Sequence, residues 1–125
     1  MDKKRILIVD DELASARLLQ ANLDQTGRYE ARVEHWPEDV VAAARAFKPH
    51  LILLDIVMPR LPGGNVAAAI KADPELKATP IVFLTAALPR EFVEEHDGMA
   101  ANYPCITKPA SLEEIVLAIE QNLPK

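Results

Sequence analysis

The stretch Leu51-Ile52-Leu53-Leu54-Asp55 decides how this chain folds. Its apolar residues follow one another without alternating, so both faces of the segment need cover. That is the pattern of a central strand in a parallel sheet with helices packed on either side. The run stops at a carboxylate. Burying an ionised Asp there is costly unless it opens onto solvent, a cation or a basic partner.

Upstream, Arg5 to Val9 reads as a first strand of the same solid type. Asp10-Asp11-Glu12 follows and opens a helix through about Gln25, with Leu13, Ala14, Ala16, Leu18, Leu19 and Leu23 as its apolar side and Gly27 as its stop. Tyr29 to Glu34 alternates apolar and polar residues, as a half-exposed edge strand does. Pro37 begins a second helix that buries Val40, Val41, Ala44 and Phe47 and stops before Pro49.

Downstream, Met58 to Gly64 reads as a loop, from its prolines and glycines. Val66 to about Ala72 is a short helix, and Pro80 to Leu84 is a fourth strand finishing at Thr85-Ala86. Pro89 begins a short fourth helix carrying Phe92, Val93 and His96, and Met99 to Asn102 is irregular. Tyr103 to Thr107 is a fifth strand, placed at an edge by Pro104. Ser111 and Glu114 form a capping box for a last helix with Leu112, Ile115, Val116, Ile119 and Leu123 on its apolar side.

Strands alternating with helices define an α/β fold: a doubly wound, five-stranded parallel sheet in a three-layer sandwich. Right-handed crossovers leave few strand orders, among them the flavodoxin-like order 2-1-3-4-5. In that order the first and third strands meet where the winding reverses, and ligands bind beyond their carboxyl ends. Asp10, Asp11, Asp55, Thr85 and Lys108 then gather above one edge of the sheet.

With 125 residues, half of them apolar, the chain suits one domain with one core, residues 1–125, and no output domain is expected within it. The apolar runs are too short to cross a bilayer, and the N-terminus carries no export signal. The single Cys105 allows no internal disulfide and suits a reducing cytoplasm. A net charge of −5 with scattered basic residues argues against nucleic acid as a partner.

Three carboxylates at one point repel one another by several kcal/mol, about 4 kcal/mol for unit charges 4 Å apart at an effective dielectric of 20. A hard divalent cation offsets this, and Mg²⁺ fits because it takes one or two carboxylates and keeps its waters. Lys108 is a second source of positive charge, reaching towards Asp55. Such a site suits phosphoryl transfer, with Asp55 as nucleophile and Mg²⁺, Lys108, the Thr85 hydroxyl and nearby backbone N–H groups stabilising the transferred oxygens. Singly, each residue has a duller role: Asp10-Asp11 as helix-capping acids, Asp55 as a turn former, Thr85 as a strand residue, Lys108 as a solvated lysine. Those roles leave unexplained why four of five strands end in the residue types one reaction needs.

Taken together, Ile6-Leu7-Ile8-Val9-Asp10-Asp11-Glu12, Leu53-Leu54-Asp55-Ile56-Val57-Met58-Pro59 with Gly63, Val82-Phe83-Leu84-Thr85-Ala86 and Thr107-Lys108-Pro109 resemble the receiver domain of two-component response regulators. The resemblance covers nearly the whole chain. It implies that Asp55 is the phosphoacceptor, supplied by a histidine kinase or phosphotransfer protein. It implies Mg²⁺ held by Asp11, Asp55, the Val57 carbonyl and water, with Asp10 assisting. Thr85, with Ala86 beside it, would be the phosphate-contacting switch, Lys108 would touch the phosphoryl group, and Lys108-Pro109 would be a cis peptide. Such a domain catalyses its own phosphorylation but is not a turnover enzyme, and it signals to a downstream protein by contact.

Two departures stand out. The family's switch aromatic is replaced by Cys105; Tyr103 shares its side of the strand two residues earlier. Val57 and Ala87, at positions that tune dephosphorylation in the family, are apolar, which implies slow loss of phosphate. The altered switch motivates an alternative: a pseudo-receiver acting as a phosphorylation-independent interaction module. A flavodoxin-like FMN site is disfavoured because Asp10-Asp11-Glu12 would repel the phosphate. An Asp-nucleophile hydrolase would need a second acid where Val57 stands. His35, His50 and His96 lack ligand spacing and read as surface or loop residues, and Trp36 reads as a packing cap at the strand–helix junction.

Overall fold

Strand β3 (Leu51–Leu54) is buried throughout. The computed structural model describes residues 3–55, 63–86, 91, 99–100 and 103–124. The side chains of β3 divide between the two cores: Ile52 and Leu54 join the cluster under α2 and α3, and Leu51 and Leu53 join the one under α1 and the last helix. Strand β1 (Lys4–Val9) divides the same way, Leu7 and Val9 against Ile6 and Ile8. A period of two on a doubly covered strand produces this split, and it explains why neither run alternates. Each such side chain contributes about 1.5–3 kcal/mol on burial.

The elements follow in the order β1, α1 (Leu13–Gln25), β2 (Tyr29–Glu34), a 3₁₀ turn (Pro37–Asp39), α2 (Val40–Phe47), β3, α3 (Gly63–Ala72), β4 (Ile81–Thr85), β5 (Met99–Ala100), β6 (Tyr103–Thr107) and α4 (Leu112–Asn122). The sheet order is β2-β1-β3-β4-β6-β5. The five strands other than β5 are parallel, so the expected 2-1-3-4-5 arrangement holds. β1 lies between β2 and β3, and the winding reverses between β1 and β3.

Several local expectations change. Met99–Ala100, expected to be irregular, pairs antiparallel with β6 through Met99 opposite Pro104 and Ala100 opposite Tyr103. β6 is therefore the outermost parallel strand, flanked at its start by two residues of β5. Pro104, which has no N–H for a ladder, sits in this short edge pairing. Helix α3 begins at Gly63, so Gly63 and Gly64 belong to the helix rather than to a loop. Pro37 starts a 3₁₀ turn that leads into α2, not the α-helix itself. On α1, Leu18 is 64% exposed, so the apolar stripe is narrower than the sequence suggests. The expected helix from Pro89, with Phe92, Val93 and His96, lies outside the described residues apart from Glu91.

The ends of the elements are tied by side chains. Ser111 Oγ accepts the Glu114 N–H at 3.1 Å and the Glu114 carboxylate accepts the Ser111 N–H at 3.3 Å, closing the capping box. At the edge of the sheet, the Ala31 N–H of β2 donates to Asp24 Oδ1 at 2.9 Å, and Gln20 Nε2 donates to the Ala31 carbonyl at 3.0 Å. Both outward-facing peptide groups of Ala31 are thus capped from α1. The buried Asp73 carboxylate, just past α3, accepts from the Arg45 guanidinium of α2, including Arg45 Nε at 2.7 Å, and from the Glu75 N–H at 2.8 Å. These donors hold the Asp73 carboxyl below its ordinary range, the Arg45 hydrogen bond chief among them. His50, expected to be a surface or loop residue, lies in the bend before β3 and ties two strand starts together. It accepts the Arg5 N–H on Nδ1 at 2.9 Å, while its own N–H donates to the Arg5 carbonyl at 2.8 Å.

Candidate functional site

Parallel strands put their carboxyl ends on one side, and the chain places an acid, a hydroxyl or a lysine just past or at four of those ends. Asp10 follows β1 and Asp55 follows β3; the Asp55 N–H donates to the Val9 carbonyl at 3.0 Å, which fixes the two ends together. Carboxylate oxygens of Asp10, Asp11 and Asp55 all lie within 4.8 Å of one another. Asp10 is buried, Asp55 half-buried and Asp11 exposed, so the cluster opens to solvent on the Asp11 side. Asp10 also shapes the backbone. Its Oδ1 accepts the Glu12 N–H at 2.9 Å, turning the chain into α1. Glu12 is the N-cap residue but makes no side-chain cap.

Lys108 supplies the positive charge. Its Nζ donates to Asp10 Oδ2 at 2.6 Å and stands 4.0 Å from Asp55 Oδ2. The sequence pointed the amine at Asp55; its tighter partner is Asp10, the most deeply buried of the three acids. That follows from desolvation, since the carboxylate with least access to water gains most from a direct cation. The lysine backbone is anchored too, its N–H donating to the Thr85 carbonyl at 2.8 Å. Thr85 ends β4 with no exposed surface, and Ala86 beyond it is exposed. The Lys108-Pro109 peptide is cis. The structure therefore brings Asp10, Asp11, Asp55 and Lys108 together and ties Thr85 to Lys108 through its backbone carbonyl; Val57 and Ala87 lie outside the described residues.

The altered switch position is also defined. Cys105 is buried directly opposite Phe83 in the β4–β6 ladder. Burial pushes its thiol up to about 11, so it is a neutral packing group rather than a nucleophile. The Tyr103 ring meets Phe83 edge-on at 5.2 Å and packs on the same core as Cys105. Trp36, read from the sequence as a packing cap, is 41% exposed and tilted against His35 with ring centroids 4.5 Å apart. A cleft of about 520 Å³ runs from Asp10 and Lys108 between α1 and α4, past Leu19, Ala110, Leu112 and Ile115. Thr107, quoted from the sequence only as part of Thr107-Lys108-Pro109, is a second buried threonine, opposite Thr85 in the ladder.

An open parallel α/β sheet with an acidic mouth and a lysine at its switch point defines the class: a flavodoxin-like domain with an acidic strand-end site. The family follows from residues 6–120, which match the response regulator receiver domain, and the chain belongs to that family. It is 29% identical over 119 residues to a probable chemotaxis protein CheY of Rhizobium etli, covering 95% of this chain and 92% of that one. It is 34% identical over 86 residues to a probable transcriptional regulator ycf27 of Cyanophora paradoxa, where the match covers 69% of this chain but only 34% of the relative. In architecture it is similar to the crystallised chemotaxis protein CheY4 of Vibrio cholerae, with a TM-score of 0.83 at 24% identity, covering 98% of this chain and 100% of that one. Among the described residues, no helix is long and apolar enough to cross a membrane.

Proposed function

We propose that this receiver domain accepts a phosphoryl group on Asp55 from the phosphohistidine of a histidine kinase or phosphotransfer protein, and passes the signal on by contact with a downstream protein. A carboxylate oxygen of Asp55 bonds to phosphorus as the phosphorus–nitrogen bond of the donor breaks and its electron pair returns to the imidazole. The observation that carries this reading is the convergence of Asp10, Asp11 and Asp55 oxygens within 4.8 Å, with the Lys108 amine at their edge.

The donor set is all hard oxygen, which fits Mg²⁺ rather than a softer metal. Asp10, Asp11 and Asp55 would hold it, with the Val57 carbonyl completing the set that the family resemblance implies. When bound, Mg²⁺ supplies charge neutralisation at the transferring oxygens. Lys108 moves between two jobs: it offsets Asp10 at rest and is near enough to Asp55 to meet a new anion there. Thr85 and the backbone at Ala86 donate to the phosphoryl oxygens. The domain modifies itself and does not turn over substrate. It works in the cytoplasm, with neither nucleic acid nor membrane as a direct partner of residues 1–125.

The test is intact-mass measurement after incubation with phosphoramidate and Mg²⁺, beside Asp55→Asn. The expected result is one phosphoryl adduct on the native chain, absent from the variant and absent in excess chelator. No adduct under any condition, with the fold intact, would return the domain to a phosphorylation-independent interaction module.

A further inference from the structure

The amino ends of the parallel strands lie at the edge of the sheet away from the acidic mouth, and they carry positive charge. Lys4 and Arg5 open β1, Arg28 precedes β2 and Lys48 precedes β3, residues far apart in sequence. Backbone bonds hold these starts side by side. The Lys4 N–H donates to the Arg28 carbonyl at 3.1 Å, and the His50 N–H to the Arg5 carbonyl at 2.8 Å. The Ile52 N–H donates to the Pro80 carbonyl at 3.0 Å, which brings the loop carrying Lys77 to the same edge. Lys4, Arg28, Lys48 and Lys77 are exposed. The half-buried His50 imidazole registers the charge, since after burial it is Arg5 and Lys4 that lower its pKa.

Arg5 is the part of this edge shaped to hold a ligand. Its Nε donates to the Lys48 carbonyl at 2.9 Å, which fixes the guanidinium on the rim. Lys48, left-handed at a φ of 54°, is held in turn by its N–H on the Ala44 carbonyl at 2.8 Å. Among the described residues the terminal N–H groups of Arg5 have no hydrogen-bond partner. Glu30 stands opposite Arg5 in the ladder, yet no ion pair joins them. A guanidinium held by one nitrogen and open at the other two presents the fork that takes a carboxylate through two parallel hydrogen bonds. Its fixed position lowers the ordering cost of doing so.

The interleaved acids favour a peptide over a polyphosphate. Glu30 stands among these bases, and Glu120 lies 3.9 Å from Arg28. A nucleic-acid duplex, with one charge about every 1.7 Å, would lay phosphates across those carboxylates. An extended peptide presents side chains on one face only about every 6.7 Å, so its acids can meet the bases and pass over the gaps.

We propose that the amino edge of the sheet docks an acidic segment of a partner protein, one carboxylate seated on the Arg5 fork and its neighbours on Lys4 and Lys48. Asp10 lies five residues beyond Arg5 along β1, about 17 Å away. The segment therefore does not compete with a phosphoryl group, and the inference stands whether or not Asp55 is the phosphoacceptor.

The experiment titrates fluorescein-labelled hexaglutamate with the chain at pH 7 and low salt, followed by anisotropy. Binding is expected to weaken as salt is added. Arg5→Gln is expected to weaken it about tenfold, and Arg5→Lys nearly as much, because lysine keeps the charge but not the fork. Lys4→Gln is expected to weaken it about two- to fivefold. Thermal unfolding reports whether each variant is folded; Lys4→Gln, which breaks no side-chain bond of the fold, keeps the test decisive if Arg5→Gln is not. Ring-proton shifts of His50, whose Nδ1 accepts the Arg5 N–H, are expected to move on peptide addition and so locate the site. No binding at low salt overturns the proposal, as does equal binding by the native and Arg5→Gln chains. So does a DNA duplex or a phosphatidylglycerol vesicle that binds more tightly than hexaglutamate through the same residues.

Discussion

Asp55→Asn removes one negative charge from a crowded mouth, and the geometry sets how much stability that returns. Asp55 faces two like charges within 4.8 Å, in Asp10 and Asp11, and one opposite charge at 4.0 Å, in Lys108. At an effective dielectric of about 20, each repulsion is worth roughly 3.5 kcal/mol and the attraction roughly 4 kcal/mol. The lysine is already committed to Asp10 at 2.6 Å, so it does not fully offset Asp55. A net repulsion of about 3 kcal/mol remains on this simple Coulomb arithmetic. Asp11 is exposed, and solvent and counterions cut the effect to about 1–2 kcal/mol. For a domain of this size that is a rise in Tm of about 4–8 °C. Thermal unfolding in chelator at pH 7 and low salt checks it, with a second run at high salt in which the gain shrinks. Saturating Mg²⁺ should close or reverse the gap, because the ion binds the native mouth more tightly. A fall in Tm in chelator would refute the reasoning, since it would mean that the Asp55 carboxylate is held by attraction rather than crowded.

Other consequences are as direct. Burial, then the charges of Arg5 and Lys4, hold the His50 imidazole below its ordinary value. Its folded value thus lies below its unfolded one, so its stabilising share is complete above about pH 6.5 and is lost as acid protonates Nδ1, the atom that accepts the Arg5 N–H. His50→Asn, which keeps an acceptor near that place, should flatten the fall in Tm between pH 7 and pH 5; an unchanged slope would exclude His50 as its source. Ser111→Ala removes the Oγ that accepts the Glu114 N–H and should cost about 1 kcal/mol in urea unfolding; a loss below a few tenths would show α4 held without that cap. Val57→Asn, which adds a group able to orient water, should shorten the phosphorylated half-life followed by mass; an equal or longer half-life would remove Val57 from the account of slow dephosphorylation.

The parts of this molecule that were legible in sequence are those where one local rule acts alone. Solid apolar runs fixed β1 and β3, since nothing but a doubly covered strand suits four consecutive aliphatics ending in Asp55. Strand ends then placed Asp10, Asp11, Thr85 and Lys108 together, because the topology gathers them whatever the loops do. Illegible features depend on partners far along the chain. Lys108 prefers Asp10 to Asp55 by relative burial, which no spacing reveals. The Asp73–Arg45 pair and the Arg5–His50 exchange join residues 28 and 45 positions apart. Met99–Ala100 carries no strand pattern and is a strand only because β6 offers an unpaired side. Gly63 and Gly64 argued for a loop by propensity, and their placement in α3 overrode it.

The capping of Ala31 by Gln20 and Asp24 has a consequence for how the protein keeps its own company. An open strand margin is a template on which a second chain can stack. Here the helix that follows the Asp10-Asp11-Glu12 turn also stoppers that margin at Ala31 with two side chains. Loosening α1 is therefore expected to do more than disturb the acidic mouth: it would also uncover the Ala31 peptide groups as a place for a second strand to pair.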